Sequence, residues 1–341
     1  MSESMAVGLG LRLSAPGLRS RLRRAIALMM ACTMLGIGAA LAQGYPTRPI
    51  TMIVPVTAGS AQDFIARQLG PMLTQRLGQP FIVDNRVGAS GTIGAAALAK
   101  AAPDGHTIML GAIVFTTAPA LRTSLPYDPV ADFAPIGPVA KAPMALGINP
   151  NVPVTNINEF VALARSRPGK LNYGSPGTGT PHHLFMELFR LQEKFDIVHV
   201  PYKELGGMVN DVIGGTLEAG FFTVFQGMSL ARGGKVRVLA VDGKERSTIA
   251  PDVPTFSERN IEGMDPEIWI GFMAPGRTPP EIITRLNTEV NALLAIPAVQ
   301  ESFSKLGLVP FPGTPAELGT IIKADLERWQ RVVREAGIKP D

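Results

Sequence analysis

The sequence predicts an α/β protein of two similar halves, each a largely parallel sheet flanked by helices. Three observations carry this reading. Short apolar runs alternate with amphipathic stretches over most of the chain, the pattern of strands joined by crossover helices. A Gly-rich loop joins a strand to a capped helix once in each half. Two stretches, an extended Pro-rich one at 138–149 and a second near 264–274, are placed to carry the chain from one half to the other and back. With 341 residues, 46% of them hydrophobic, two domains with genuine cores are expected.

In order, a strand is expected at 50–54, a loop at 55–59 and a helix over 61–77. Ile65, Leu69, Met72, Leu73 and Leu77 share one face of that helix and should pack on a sheet. A strand at 80–84, a helix at 93–101 and a strand at 107–111 complete the first run. Past the crossover come a helix at 157–166, a strand at 171–174, a helix at 181–192 and a strand at 197–200. A helix at 204–213 and strands at 217–222 and 236–241 follow. Helices at 279–294, 298–306 and 315–336 close the chain. Thr278-Pro-Pro-Glu281 and Thr314-Pro-Ala-Glu317 combine a capping threonine, a first-turn proline and an acid at the third position. Both are structural caps and carry no function.

The net charge of +4 is concentrated at the start. Residues 1–42 hold five of the 32 basic side chains and one of the 28 acidic ones, so the remainder balances at 27 of each. A nucleic-acid binder needs a basic footprint, and none remains. The arginines at 19, 21, 23 and 24 precede an uncharged apolar run over 25–42 that ends Ala40-Leu41-Ala42. A basic segment, an apolar segment and an A-x-A triplet predict a secretory signal peptide over 1–42, cleaved near Ala42, rather than a membrane anchor. Cys32, the only cysteine, falls inside it, so the exported product is expected to be soluble and free of thiol and disulfide chemistry.

Enzyme templates find no match. The histidines at 106, 182, 183 and 199 form no H-E-x-x-H, and neither Gly88-Ala-Ser-Gly91 nor Gly174-Ser-Pro-Gly177 has the spacing of a nucleophile elbow. Gly88, Gly91 and Gly94 do not make the dinucleotide fingerprint, and Gly234-Lys235 lacks the hydroxyl residue of a P-loop. No metal and no cofactor are expected.

Two loops are better candidates. After the first strand, Thr57-Ala58-Gly59-Ser60 runs into a helix that Ser60 caps and Asp63 closes as a capping box. In the second half, Gly177-Thr178-Gly179-Thr180 leads to a helix with His183 in its first turn. Small residues at a strand's carboxyl end let a ligand reach the unpaired amides of a helix start, which favour an anion. A third loop after 107–111 offers the hydroxyls of Thr116 and Thr117. Each glycine is also an ordinary turn residue, and each hydroxyl an ordinary cap. One such loop in each half makes a clamp for a small acid.

Taken together these residues resemble the Bug family, the periplasmic receptors of tripartite tricarboxylate transporters. The resemblance runs from Tyr45-Pro-Thr-Arg-Pro-Ile50 and Ile53-Val-Pro55, through Asp84-Asn-Arg86, Pro103-Asp-Gly105 and Asp132-Phe-Ala-Pro-Ile136, into Leu171-Asn-Tyr-Gly-Ser175 and His199-Val-Pro-Tyr-Lys203. It ends at Asp252-Val-Pro-Thr255, Trp269-Ile-Gly271 and Ala274-Pro275. It implies a two-lobed periplasmic binding protein of the Venus-flytrap, type II-like kind, with 43–140 and 270–341 in one lobe and 141–269 in the other. It also implies a monomer that closes on a small organic carboxylate and delivers it to a membrane permease. The family's ligand loops map onto Thr57 to Ser60, the Thr116/Thr117 loop, and Thr178 to Thr180 with His183. Val56 replaces a usual Phe, Ser60 a usual Gly, and Phe222-Thr223 a frequent Phe-Asp, so Thr223 joins the expected ligand residues at the distal end. A sensor docking on a membrane histidine kinase would share all these features. A secreted enzyme would need convergent titratable groups, and the loops offer only Asp63, His182 and His183.

Overall fold

The computed structural model describes residues 44–266 and 268–339, and the expected signal peptide lies outside them. From Pro46 onward the chain forms one compact unit. It is built on two sheets.

The first sheet contains β1 (Ile50–Val54), β2 (Phe81–Asn85), β3 (Thr107–Ala112), β4 (Phe133–Ala142), β10 (Ile268–Pro275) and β11 (Val309–Pro310), in the order β11-β4-β10-β3-β1-β2. The second contains β5 (Met144–Ile148), β6 (Asn172–Ser175), β7 (Val198–Pro201), β8 (Ala219–Thr223) and β9 (Arg237–Val241), in the order β7-β6-β8-β5-β9. Each sheet with its helices is one lobe of a periplasmic-binding-protein fold.

Among the strands named here, parallel pairing joins β2-β1-β3 and β7-β6-β8, and one isolated parallel bridge links Val241 to Thr255. The pairs made by β10, β4, β11, β5 and β9 are antiparallel, so both sheets are mixed rather than largely parallel. The reason lies in the connections. A parallel neighbour needs a crossover of a dozen or more residues, usually a helix. The strands that cross between lobes have no such helix: β4 passes into β5 with only Pro143 between them, and β10 returns against both β3 and β4. The stretch expected to be a Pro-rich crossover is therefore two strands, one per sheet. The Val224 amide donates to Pro143 O, and the Met144 amide to Asp242 Oδ1 at 2.8 Å, which ties the crossing to the second lobe.

Ten helices are described: α1 (Ala61–Leu77), α2 (Thr92–Ala99), α3 (Val114–Thr117), α4 (Ile157–Ser166), α5 (Pro181–Glu193), α6 (Leu205–Gly214), α7 (Val224–Arg232), α8 (Pro280–Leu294), α9 (Pro297–Lys305) and α10 (Pro315–Glu335). Of the five apolar residues expected on the inner face of α1, Ile65, Leu69, Leu73 and Leu77 are buried, and Met72 is half-buried at the edge of the stripe. Thr314 and Glu317 form the expected capping box at α10, whereas Thr278 bonds Pro275 O and leaves α8 without a side-chain cap.

α10 joins the lobes. Its Trp329 is fully buried and stacks on Phe185 of α5 at 5.7 Å, while Asp325 accepts the Trp269 indole proton of β10 at 2.9 Å. Burial raises the Asp325 carboxyl above the usual range, against the pull of Arg328. Among the described residues no helix is long and apolar enough to cross a membrane.

Candidate functional site

Because β1 and β3 are parallel neighbours, residues 55–60 and α3 emerge side by side at one end of the first sheet. The same relation between β6 and β8 places 176–180 beside Thr223.

At the first of these loops, Thr57, Ala58 and Gly59 are exposed and Ser60 is half-buried. Ser60 Oγ accepts the Asp63 amide at 3.2 Å, as a cap should. The return bond differs from a capping box. Asp63 Oδ2 accepts from the Gly59 amide at 2.9 Å rather than from Ser60, because Gly59 at φ 84 turns its N–H back over the helix start. The buried carboxylate also accepts from Asn85 Nδ2 and Arg67 Nε, each at 2.9 Å, and the Arg67 bond leads in holding its pKa at about 2. Asp63 is thus an ionised anchor of the loop whose charge Arg67 compensates. The amides of Ala58, Ala61 and Gln62 have no partner among the described residues.

Thr116 and Thr117 are not on a loop but on α3, fully or almost fully buried, with hydroxyls donating to Ile113 O and Val114 O. A single turn of four residues is too short to display a helical period in the sequence.

In the second lobe Gly177 (φ 122) and Gly179 (φ 76) bend the loop into conformations that side chains resist. Thr180 Oγ1 donates to Gly177 O at 2.7 Å instead of capping α5. Thr178 is exposed, and the amides of Thr178, His182 and His183 have no partner among the described residues. His183 does not project from the loop. It is buried behind it, with Nδ1 accepting the Gly179 amide at 2.9 Å.

Thr223 is the N-cap of α7, its Oγ1 accepting the Gln226 amide at 3.2 Å. The sequence reading missed this helix, although Thr223-x-x-Gln226 is the start of a capping-box pattern.

The lobes meet at these loops. A Cβ placed on Gly179 would lie 2.5 Å from Leu121 Cδ1, just beyond α3, and Gly307 of the first lobe abuts Phe225 of α7. A separate cavity of about 570 Å³ lies at the β4, β9 and α10 edges, lined by Lys141, Asp242, Arg246, Trp269, Asp325 and Arg328 among others, and touches none of the expected site residues.

The sequence reading named His182 only as a titratable group beside the second loop. Both of its ring nitrogens are buried without a hydrogen-bond partner, and burial pulls the imidazole down to about 4, so it is neutral. Unsatisfied buried groups are costly, while an apolar ring of similar shape is not. His182→Phe is therefore expected to raise the stability of the ligand-free protein by about 1 kcal/mol in urea unfolding. A loss of that size would mean the ring has a partner in solution.

The comparisons with known proteins bear on the family and the fold. Residues 65–338 match the model of the tripartite tricarboxylate transporter family receptor. Protein BugT of Bordetella pertussis is 37% identical over 303 residues, covering 87% of this chain and 92% of BugT. An R. palustris protein solved with adipate superposes with a TM-score of 0.71 at 34% identity, over 87% of this chain and all of that one. The MatC protein of Rhodopseudomonas palustris, solved with bound malate, gives 0.68 at 30%, over 85% of this chain and all of that one. A match over that span of residues and relatives at these identities establish that the chain belongs to the Bug-type receptors of the tripartite tricarboxylate transporter family.

Proposed function

We propose that the protein captures a small organic carboxylate between the starts of α1 and α5, closes its lobes about the crossing strands, and hands the ligand to the permease subunits of a tripartite tricarboxylate transporter. The observation that carries this reading is the set of unpartnered amides at Ala58, Ala61 and Gln62 in one lobe and at Thr178 and His182 in the other. Helix starts of this kind stabilise an anion without a dedicated cation. The one charged side chain at the first loop, Asp63, is already matched by Arg67, so it does not repel an acid. The two relatives solved with adipate and malate support a dicarboxylate.

In this reading the lobes are 43–140 with 270–341 and 141–269, the protein is a periplasmic monomer, and it performs no catalysis. Closure is a shift of population toward the ligand-bound arrangement. Thr116, Thr117 and Thr223 shape the floor of the site through the backbone groups their hydroxyls bond. Titration with malate, adipate and other mono-, di- and tricarboxylates while following the melting temperature is expected to give a concentration-dependent rise with at least one dicarboxylate. No rise with any of them would contradict the proposal.

A further inference from the structure

The loop 176–180 is held from behind by a compact set of titratable rings. Ser175 Oγ donates to Gly177 O at 2.9 Å and receives the Gly177 amide at 3.3 Å. Ser175 Oγ also lies 2.7 Å from His199 Nε2, in a hydrogen bond that either atom can donate. The His199 ring lies 4.0 Å from that of His183 at 19°, and 4.9 Å from that of Tyr173. His183 Nδ1 receives the Gly179 amide, so its own proton must sit on Nε2, which faces Glu187 Oε1 at 3.9 Å. Glu187 is buried and engaged, accepting Tyr173 OH at 2.6 Å and Arg190 Nε. His183 therefore faces Glu187 and Arg190 on its own helix, His199 on β7, Tyr173 on β6 and the Gly179 amide of the loop.

From this geometry we propose that His183 is the positioning residue of the second ligand loop: its unprotonated Nδ1 holds Gly179 so that the Thr178 and His182 amides stay set for a carboxylate, and protonation of that nitrogen releases the loop and the ligand. A protonated Nδ1 is a donor facing a donor, and the Gly179 bond cannot survive it. His199 is not interchangeable with His183, because it bonds Ser175 and not the Gly179 amide. Burial, with Arg190 adding to it, pulls His183 to about 4; burial and then His183 do the same for His199. The latch is closed at neutral pH and opens in acid. The inference rests on the loop being a ligand loop only for its last step.

The test uses ¹⁵N NMR and amide exchange on the wild type, on His183→Asn, whose side-chain oxygen replaces the Nδ1 acceptor, and on His183→Phe, which keeps the stack without an acceptor. Wild-type His183 is expected as the Nε2–H tautomer with a midpoint near 4. Gly179 exchange is expected to stay slow in the Asn variant and to rise about tenfold in the Phe variant. In titrations with malate and adipate, wild-type affinity should fall more steeply below pH 5 than that of the Asn variant, which reports the acids' own protonation. An Nδ1–H tautomer, or Gly179 protection surviving in His183→Phe while His183→Asn loses it, would overturn the positioning role. Equal pH slopes in wild type and His183→Asn would overturn acid release. Binding of neither acid would count against the proposed function, while the exchange measurements would still decide the positioning role.

Discussion

Asp63→Ala is expected to cost about 3 kcal/mol of stability in urea unfolding and to remove the response to carboxylates. The carboxylate is buried and accepts from the Gly59 amide, Asn85 and Arg67. Removing it leaves the half-buried Asn85 amide group with only its bond to Val56 O and frees the loop at Gly59. Hydrogen bonds to a charged group contribute about 1.5–3 kcal/mol, whereas the exposed Arg67 end returns to water at little cost. Ser60 keeps its bond to the residue-63 amide in the variant, so α1 still starts where it does. What is lost is the geometry of residues 57–60 ahead of it, and with it the set of the Ala58 and Ala61 amides.

The pH dependence has a definite sign. The folded-state pKa of Asp63 is depressed to about 2, chiefly by Arg67. Its contribution is therefore complete above the unfolded value of about 4 and is lost as pH falls toward 2. The stability gap between wild type and Asp63→Asn should be full at neutral pH and narrow across that window. A gap independent of pH would contradict the role given to the charge.

Gly179→Ala is expected to weaken carboxylate binding about 10- to 100-fold while lowering stability by only about 1 kcal/mol. Two effects separate here. Gly179 sits at φ 76, where a Cβ is strained whether or not ligand is bound, and this part appears in folding. The clash of that Cβ with Leu121 arises only where the lobes meet. The protein escapes it by opening, so the cost falls on closure, and closure is driven by the ligand. Leu121→Ala in the same background should recover part of the affinity and none of the stability, as measured by calorimetric titration and urea unfolding. Unchanged affinity in Gly179→Ala would mean that these two surfaces do not approach on binding.

Much of this site was legible in residues alone. Ser60 and the α1 stripe announced that helix, and Gly177 to Gly179 announced a turn that only glycine makes easily. What the sequence could not display is direction. His182 and His183 are adjacent and chemically alike, yet one ring is locked to Gly179 and the other has no partner. Neighbouring residues on a helix point about 100° apart, and the packing against His199 and Tyr173, from strands far along the chain, decides which ring does what. Strand direction was hidden for a similar reason: runs such as 138–149 show that backbone is extended but not which neighbour it meets, so β4 and β5 were legible as extended and their antiparallel pairing was not.

The most direct test maps backbone amide shifts on adding malate and adipate to ¹⁵N-labelled protein. Simultaneous shifts are expected at Ala58, Ala61 and Gln62 in one lobe and at Thr178, Gly179 and His182 in the other, saturating with a single affinity. Shifts confined to one lobe, or centred on Lys141, Arg246 and Arg328 around the separate cavity, would contradict capture of an acid between the two helix starts.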